Sequence, residues 1–133
     1  MLFGQEHIDR YRATGGEEGH DWQGTRCLIL TTTGRKSGEQ RDSALIYGVH
    51  GDDYLLVASK GGAPDDPAWY KNLDADPHVT LQVGTEVFAA NARTATAQER
   101  PELWPIMVKE WPAYDDYVKK TEREIPVVVL SRA

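Results

Sequence analysis

Short runs of apolar and β-branched residues, separated by glycine-containing turns, predict a chain built mainly from strands. The six predicted strands cover residues 26–33, 43–50, 54–59, 78–83, 86–93 and 125–131. A tight turn at 51–53 joins the second and third strands into a hairpin, and hairpin connections imply antiparallel pairing. Because Pro126 lacks an amide hydrogen, we expect the last strand to lie at an edge of the sheet or to pair only at its end.

Apolar residues at helical spacing predict four helices before and between these strands. The helices cover residues 2–11, residues 67–73, a segment from Ala97 to the Trp111-Pro112 step, and residues 113–121. Asp66 is a suitable N-cap for the second helix, and Pro67 suits its first position. Thr96 and Glu99 have the spacing of a capping box.

These elements favour an α+β fold, in which a small antiparallel barrel carries its helices on the outside. The length of 133 residues corresponds to one domain, with an N-terminal helix over residues 1–14 and the barrel over residues 15–133.

The overall charge limits the possible partners. The formal net charge of −6 argues against a general nucleic-acid binder, which needs a broad basic face. No apolar run approaches the roughly 20 residues of a membrane span, and the acidic residues after the first methionine do not fit a signal peptide. Cys27 is the only cysteine, which favours a reducing compartment. We expect a cytoplasmic protein with at most peripheral contact at the inner face of the plasma membrane.

A cluster of cations stands out in this acidic chain. Residues 34–38 have the sequence GRKSG, and Arg26 and Arg41 lie on either side of them. Glycines let backbone amides approach an anion, and arginine offers forked donors to phosphate. Residues 58–63, with the sequence ASKGGA, form a second cationic glycine turn at the end of a predicted strand. Each could be an ordinary turn, but two of them together favour an anion site.

Aromatic residues supply a third signal. Tyr114 and Tyr117 are three residues apart, so they share one face of a helix, and Trp111 precedes them. Aromatic side chains stack on flat ligands, and tyrosine hydroxyls donate hydrogen bonds. Core packing is the alternative, and it is the preferred interpretation for Trp104.

Other kinds of site lack their motifs. The four histidines show no close metal-ligand spacing, so we expect no metal site. The nucleophile elbow of serine hydrolases and the glycine fingerprint of Rossmann domains are both missing. The carboxylate pairs at 65–66 and 115–116 are interpreted as solvated charges.

These segments, in this order, resemble the deazaflavin (coenzyme F420)-dependent nitroreductase and quinone reductase family of actinobacteria. The resemblance lies in residues 30–38 with Arg41, 58–63, 67–73, 111–117 and 123–130, and it extends over nearly the whole chain from about Gly15. It implies a split β-barrel related to FMN-binding barrels. It also implies an oxidoreductase in which reduced F420, with an anionic phosphate and oligoglutamate tail, passes a hydride to a small flat quinone or nitroaromatic.

The resemblance further implies the site residues. The cations Arg35, Lys36, Arg41 and Lys60 would hold the phosphate and tail, and Ser37, Ser59, Gly61, Gly62, Ala63, Trp69 and Asn72 would line the coenzyme groove. Trp111, Tyr114 and Tyr117 would form the wall of the acceptor pocket. A developing oxyanion on the acceptor needs a donor, for which Tyr114, Tyr117 or Ser59 are the candidates. Ala44 departs from the family pattern, which often has proline there.

Two other functions remain open from the sequence. One is an FMN-dependent oxidoreductase on the same barrel, and the other is a non-enzymatic carrier of an anionic cofactor. We expect a monomer or a homodimer in each case.

Overall fold

The computed structural model describes residues 2–133, which form a curled antiparallel sheet with helices around it. The strands of this range are β1 Asp21–Trp22, β2 Thr25–Thr33, β3 Gln40–Ile46, β4 Gly48–His50, β5 Asp53–Val57, β6 His78–Val83, β7 Glu86–Thr94 and β8 Val127–Arg132. The helices are α1 Gly4–Thr14, α2 Ala68–Ala75, α3 Arg100–Glu110 and α4 Ala113–Val118, with a 3₁₀ turn at Lys60–Gly62. No helix of this range is long and apolar enough to cross a membrane.

The strand order is β1-β2-β6-β7-β8-β5-β4, and β3 pairs with β2. Every pairing is antiparallel. The prediction of an α+β split barrel with external helices is confirmed. The predicted hairpin across residues 51–53 is present as the β4–β5 pair.

The prediction that the last strand lies at an edge is wrong. β8 is internal, because it pairs with β5 on one side and β7 on the other. Pro126 lies just before the strand, so its missing amide hydrogen removes nothing from either ladder. Its carbonyl group accepts a hydrogen bond from the Ala58 amide at 2.9 Å and extends the contact with the β5 side.

The predicted strand at 43–50 is two strands. The chain leaves the ladder at Tyr47, so that β3 pairs with β2 and β4 pairs with β5. The Tyr47 amide instead donates to the Arg26 carbonyl at 3.2 Å. The very short strand β1 was not predicted, because two residues are too few to show an alternating pattern.

One predicted helix cap is correct and one is wrong. Thr96 and Glu99 exchange the capping-box hydrogen bonds at 3.0 and 3.2 Å, immediately ahead of α3. Asp66 does not cap α2, whose N-cap is the extended residue Pro67. The Asp66 carboxylate instead accepts a hydrogen bond from Arg123 at 2.9 Å, because a charged donor competes successfully for it.

The two faces of β8 bury side chains in two different cores. Val128 and Leu130 face the inside of the barrel, and Val127 and Val129 pack against the helices. This division follows from the alternation of side chains along a strand. The helix-side core contains Leu103, Met107 and Tyr114 from α3 and α4. Burial on both faces therefore fixes α4 beside the end of β5.

Tyr11 joins α1 to the barrel. Its hydroxyl donates to the Cys27 carbonyl at 3.0 Å and accepts from the Gly84 amide at 2.8 Å. Burial raises the pKa of Tyr11 to about 12, so the hydroxyl stays protonated and keeps both hydrogen bonds. Ile8 is buried next to it on the same helix face. The apolar positions of α1 thus pack on the protein's own sheet.

We predict that Tyr11→Phe lowers the free energy of unfolding by about 1–3 kcal/mol, because two backbone groups lose their partner inside the protein. Urea denaturation measures the change. Tyr70→Phe is the matched control, because the Tyr70 hydroxyl bonds only Thr94 at an exposed position. We expect a loss below about 0.5 kcal/mol in the control. Equal losses in the two variants would contradict this role of Tyr11.

Candidate active site

Two adjoining cavities meet at Trp69, which lines both. The larger cavity has a volume of about 400 Å³ and lies between the end of β5, α4 and the N-terminal segment. The smaller cavity has a volume of about 290 Å³ and lies between the turn at residues 34–38 and α2. The two cavities together are called the groove here, and its two ends differ in chemistry, one being cationic and the other aromatic.

The cationic end is shaped by the turn at residues 34–38. The Gly38 amide donates to the Gly34 carbonyl at 2.8 Å, and a Cβ at Gly34 would lie 2.9 Å from the Ser37 hydroxyl. The turn is tied to α2 by Asn72, whose Oδ1 accepts from the Arg35 amide at 3.2 Å and from Arg35 Nη1 at 2.9 Å. Asn72 Nδ2 donates to Thr32 at 3.3 Å. Asn72 therefore holds the turn against the sheet.

The predicted tail cations differ in how they are paired. Arg41 lies 3.1 Å from Glu39, and Lys60 lies 3.1 Å from Asp65. Lys36 is exposed and has no ion-pair partner among residues 2–133. Lys36 can thus accept an anion without losing an existing contact. The interpretation of the carboxylates at 65–66 as solvated charges holds for Asp65, which is exposed and pairs with Lys60 at the surface, whereas Asp66 is partly buried and paired with Arg123.

The turn that follows β5 forms one wall of the larger cavity. Ser59, Lys60 and Gly61 line it, and a Cβ at Gly61 would meet no atom within 4 Å. Gly61 therefore leaves room for a flat group to approach the backbone. Gly62 and Ala63 line neither cavity. Their amides close the turn on the carbonyls of Ser59 and Lys60, at 2.9 and 3.1 Å.

Another wall of the larger cavity is aromatic, and it contains Trp111, Tyr114 and Tyr117, the three residues expected to form the acceptor wall. The Tyr117 hydroxyl accepts a hydrogen bond from Trp111 Nε1 at 3.3 Å. The Tyr114 hydroxyl has no hydrogen-bond partner in the described part of the chain. Burial raises the pKa of Tyr114 well above its usual value, so the hydroxyl remains a proton-bearing donor.

The N-terminal segment supplies a wall that the sequence did not indicate. Phe3, His7 and Trp22 line the larger cavity. The Trp22 ring is 5.6 Å from Phe3, stacks on His7 at 5.9 Å and lies 5.8 Å from Trp111. Only the fold brings these rings together, because Phe3, His7 and Trp22 are far from Trp111 along the chain.

Metal-ligating side chains do not cluster in the part of the chain that the structure describes. No group of three or more histidine, cysteine or carboxylate side chains is placed to hold an ion there. Each histidine of this range has a hydrogen-bond partner, and Cys27 is buried with its pKa raised to about 12.

The sequence and the geometry lead to the same family. Residues 3–132 match the sequence model of the F420H(2)-dependent quinone reductases. The chain belongs to the F420H(2)-dependent quinone reductase family. It is 44% identical over 131 residues to an F420H(2)-dependent quinone reductase of Mycobacterium tuberculosis, covering 95% of this chain and 87% of that protein. The resemblance inferred from the motifs is confirmed.

Solved structures agree with this family. An F420-H2 dependent reductase, FDR-A, is 40% identical, with a TM-score of 0.73 over 79% of this chain and 93% of that chain. A second structure, described as a domain-swapped dimer, is 36% identical with a TM-score of 0.77 over 96% of each chain. The family consists of oxidoreductases that depend on reduced coenzyme F420. Membership of this family therefore supports neither an FMN-dependent oxidoreductase nor a non-enzymatic carrier.

The groove fits coenzyme F420. A flat deazaflavin ring requires an open, largely apolar slot, and the larger cavity offers one beside Gly61 and Trp69. An anionic tail requires unpaired cations and free donors, and Lys36 is such a cation beside the smaller cavity.

We predict that Asn72→Ala costs about 1–3 kcal/mol of unfolding free energy, because Arg35 and Thr32 lose a buried partner. We also expect faster amide exchange in residues 34–38. Chemical denaturation and hydrogen exchange measure the two effects. Asn91→Ala, at an exposed position of β7, is the control and should change neither quantity. Unchanged exchange in residues 34–38 of Asn72→Ala would disprove the role of Asn72.

Proposed function

We propose that this protein transfers a hydride from reduced coenzyme F420 to a quinone. The observation that supports it most directly is the pair of cavities that adjoin at Trp69, one lined by cations and the other by aromatic rings, with the Tyr114 hydroxyl unbonded among residues 2–133. The family shares this activity. Two-electron reduction of a quinone takes up one hydride and one proton, so the site has to hold a hydride donor, the quinone and a proton donor together.

The cationic end is proposed to hold the coenzyme tail. Arg35, Lys36 and Arg41 surround the smaller cavity together with Ser37. Arg41 would exchange its contact with Glu39 for one with the anion, and Lys36 would gain its first partner. Lys60 is tied to Asp65 and lines the larger cavity, so it would contact the part of the coenzyme between the tail and the ring.

The aromatic end is proposed to hold the ring and the acceptor. When bound, the reduced coenzyme supplies the hydride. Trp69 and Gly61 would align the ring, and Trp111 and Tyr117 would stack on the acceptor and keep water away from it. The Tyr114 hydroxyl would donate a hydrogen bond to the acceptor oxygen on which negative charge develops. The hydroxyl of Ser59, which lines the same cavity, is the second candidate donor.

The acceptor and the assembly complete the proposal. A nitroaromatic is a second proposed acceptor class, because the aromatic walls select flat molecules rather than one functional group. The chain would act as a single reductase domain in the cytoplasm, without nucleic acid and with at most peripheral membrane contact. Of the monomer and the homodimer, the homodimer is supported by the domain-swapped dimer of the related structure.

Titration with oxidised F420, and in parallel with FMN, tests the proposed function through fluorescence quenching. We predict selective binding of F420, weakened roughly three- to tenfold by Lys36→Ala at low salt and less at high salt. Lys109→Ala removes the same charge from an exposed position of α3 outside the groove and should leave the affinity unchanged. Selective binding of FMN would overturn the assignment of F420 as the coenzyme. Binding of neither compound would overturn the proposed function.

We predict that Tyr114→Phe lowers kcat for quinone reduction about a hundredfold, because the developing charge loses its hydrogen-bond donor. The dissociation constant of F420 should not change. Steady-state kinetics with saturating F420H2 measures the first quantity, and titration measures the second. Tyr54→Phe, which lies outside the groove, should leave kcat unchanged. A normal kcat in Tyr114→Phe would leave Ser59 or Tyr117 as the donor.

A further inference from the structure

We propose that Arg123 is a positioning residue that holds the turn at residues 59–63 in the shape that binds the coenzyme. The inference rests on the proposed function, since that turn forms a wall of the proposed coenzyme site. Arg123 itself lines neither cavity. It would therefore act through the turn and without touching coenzyme or acceptor.

The guanidinium group of Arg123 is bonded on both sides of the turn. Its hydrogen bonds reach the Ala58 carbonyl at 3.2 Å, the Ser59 carbonyl at 2.9 Å, the Ala63 carbonyl at 2.9 Å and the Asp66 carboxylate at 2.9 Å. Ala58 and Ser59 lie before the three residues 60–62, and Ala63 and Asp66 lie after them. The side chain is only 15% exposed. One planar, forked group thus connects the two ends of the turn from behind.

The turn needs such support because its backbone is unusual. Lys60, Gly61 and Gly62 have φ values of 46°, 63° and 86° in succession. Glycine adopts a positive φ at no steric cost, but a lysine rarely does. A backbone conformation of this kind persists only where the surroundings hold it in place. Here the contacts of Arg123 meet the chain immediately before and after these three residues.

The same region of the chain that carries Arg123 also supports the turn by packing. A Cβ at Gly62 would lie 3.0 Å from the Tyr117 carbonyl oxygen and 2.9 Å from Lys120 Cβ. The end of α4 and the residues after it therefore press against the back of the turn, and Ser59 and Gly61 face the cavity on its front. Tyr117 lines the same cavity, so the packing at Gly62 joins the turn held by Arg123 to the aromatic wall.

An arginine is required at this position, and a lysine cannot replace it. Four acceptors in different directions are bonded by three nitrogen atoms in a fixed plane. A lysine ammonium group carries the same charge at a single point and cannot reach both ends of the turn at once. The contacts with Ala58, Ser59 and Ala63 are to neutral carbonyl groups, so geometry contributes more here than charge.

The test compares Arg123→Met and Arg123→Lys with Arg132→Met. Arg132 forms a forked pair with Glu86 at the surface and lies outside both cavities. Arg132→Met therefore removes the same positive charge as Arg123→Met without changing the turn. We expect the F420 dissociation constant to rise about tenfold to a hundredfold in both Arg123 variants. It should not change in Arg132→Met. With saturating coenzyme, kcat should be close to the normal value, because no catalytic group is removed.

Hydrogen exchange on the coenzyme-free protein supplies a second measurement, independent of whether F420 is the ligand. The amides of Gly62 and Ala63, which close the turn, should exchange faster in both Arg123 variants, and the amides of β5 and β8 should not. Added guanidinium, far below denaturing concentrations, should restore slow exchange and tight binding to Arg123→Ala. If Arg123→Met does not fold, Asp66→Asn removes the charge from one of the four contacts and should show the same two effects in weaker form.

The outcomes separate this inference from the proposed function. Slow exchange at Gly62 and Ala63 in the Arg123 variants, or faster exchange throughout the sheet, would overturn the role of Arg123. An unchanged F420 affinity in variants with a loosened turn would overturn it as well. Failure of the unaltered protein to bind F420 would refute the proposed function, and the exchange measurement would still decide whether Arg123 holds the turn.

Discussion

The burial of β8 on both faces is the constraint on which the rest of the structure depends. Its alternate residues belong to the barrel core and to the core under α3 and α4, so the strand cannot shift by one residue without exchanging the two sets. The neighbouring strand β5 divides its residues in the same way, with Leu56 facing the barrel and Leu55 facing the helices. The register of this strand pair therefore places α4 directly beside the turn that follows β5.

The groove carries a cluster of cations at one end, although the molecule as a whole has a net negative charge. A net negative charge repels a polyanionic coenzyme, and the cations that line the smaller cavity oppose this repulsion locally. Two of the four predicted tail cations are paired with nearby carboxylates, Arg41 with Glu39 and Lys60 with Asp65. Such exposed pairs are weak and can exchange one anion for another at little cost. In the proposed function, selectivity for an anionic tail would then depend on the shape of the turn held by Asn72.

The chemistry assigned to the protein is mainly one of alignment. A coenzyme that carries its own hydride leaves the protein to orient two flat molecules, to exclude water and to stabilise developing charge. In the proposed function these needs would be met by a turn held by Arg123, by the aromatic wall of Trp111, Tyr114 and Tyr117, and by the buried hydroxyl of Tyr114. The N-terminal segment closes the remaining side through Trp22, which links it to the aromatic wall of α4 through Trp111.

Local sequence patterns were enough to predict most of the strands and helices and to propose the chemical character of the site. Runs of apolar and β-branched residues predicted the longer strands, and the glycines and cations at 34–38 predicted an anion-binding turn, because both signals lie within a few neighbouring residues. Only the tertiary structure decided that β8 is internal, that Trp22 reaches the cavity, and that Arg123 is bonded to both ends of a turn about 60 residues earlier. Hydrogen bonds and packing between distant segments depend on how the sheet curls. A local pattern of residues does not predict that curvature.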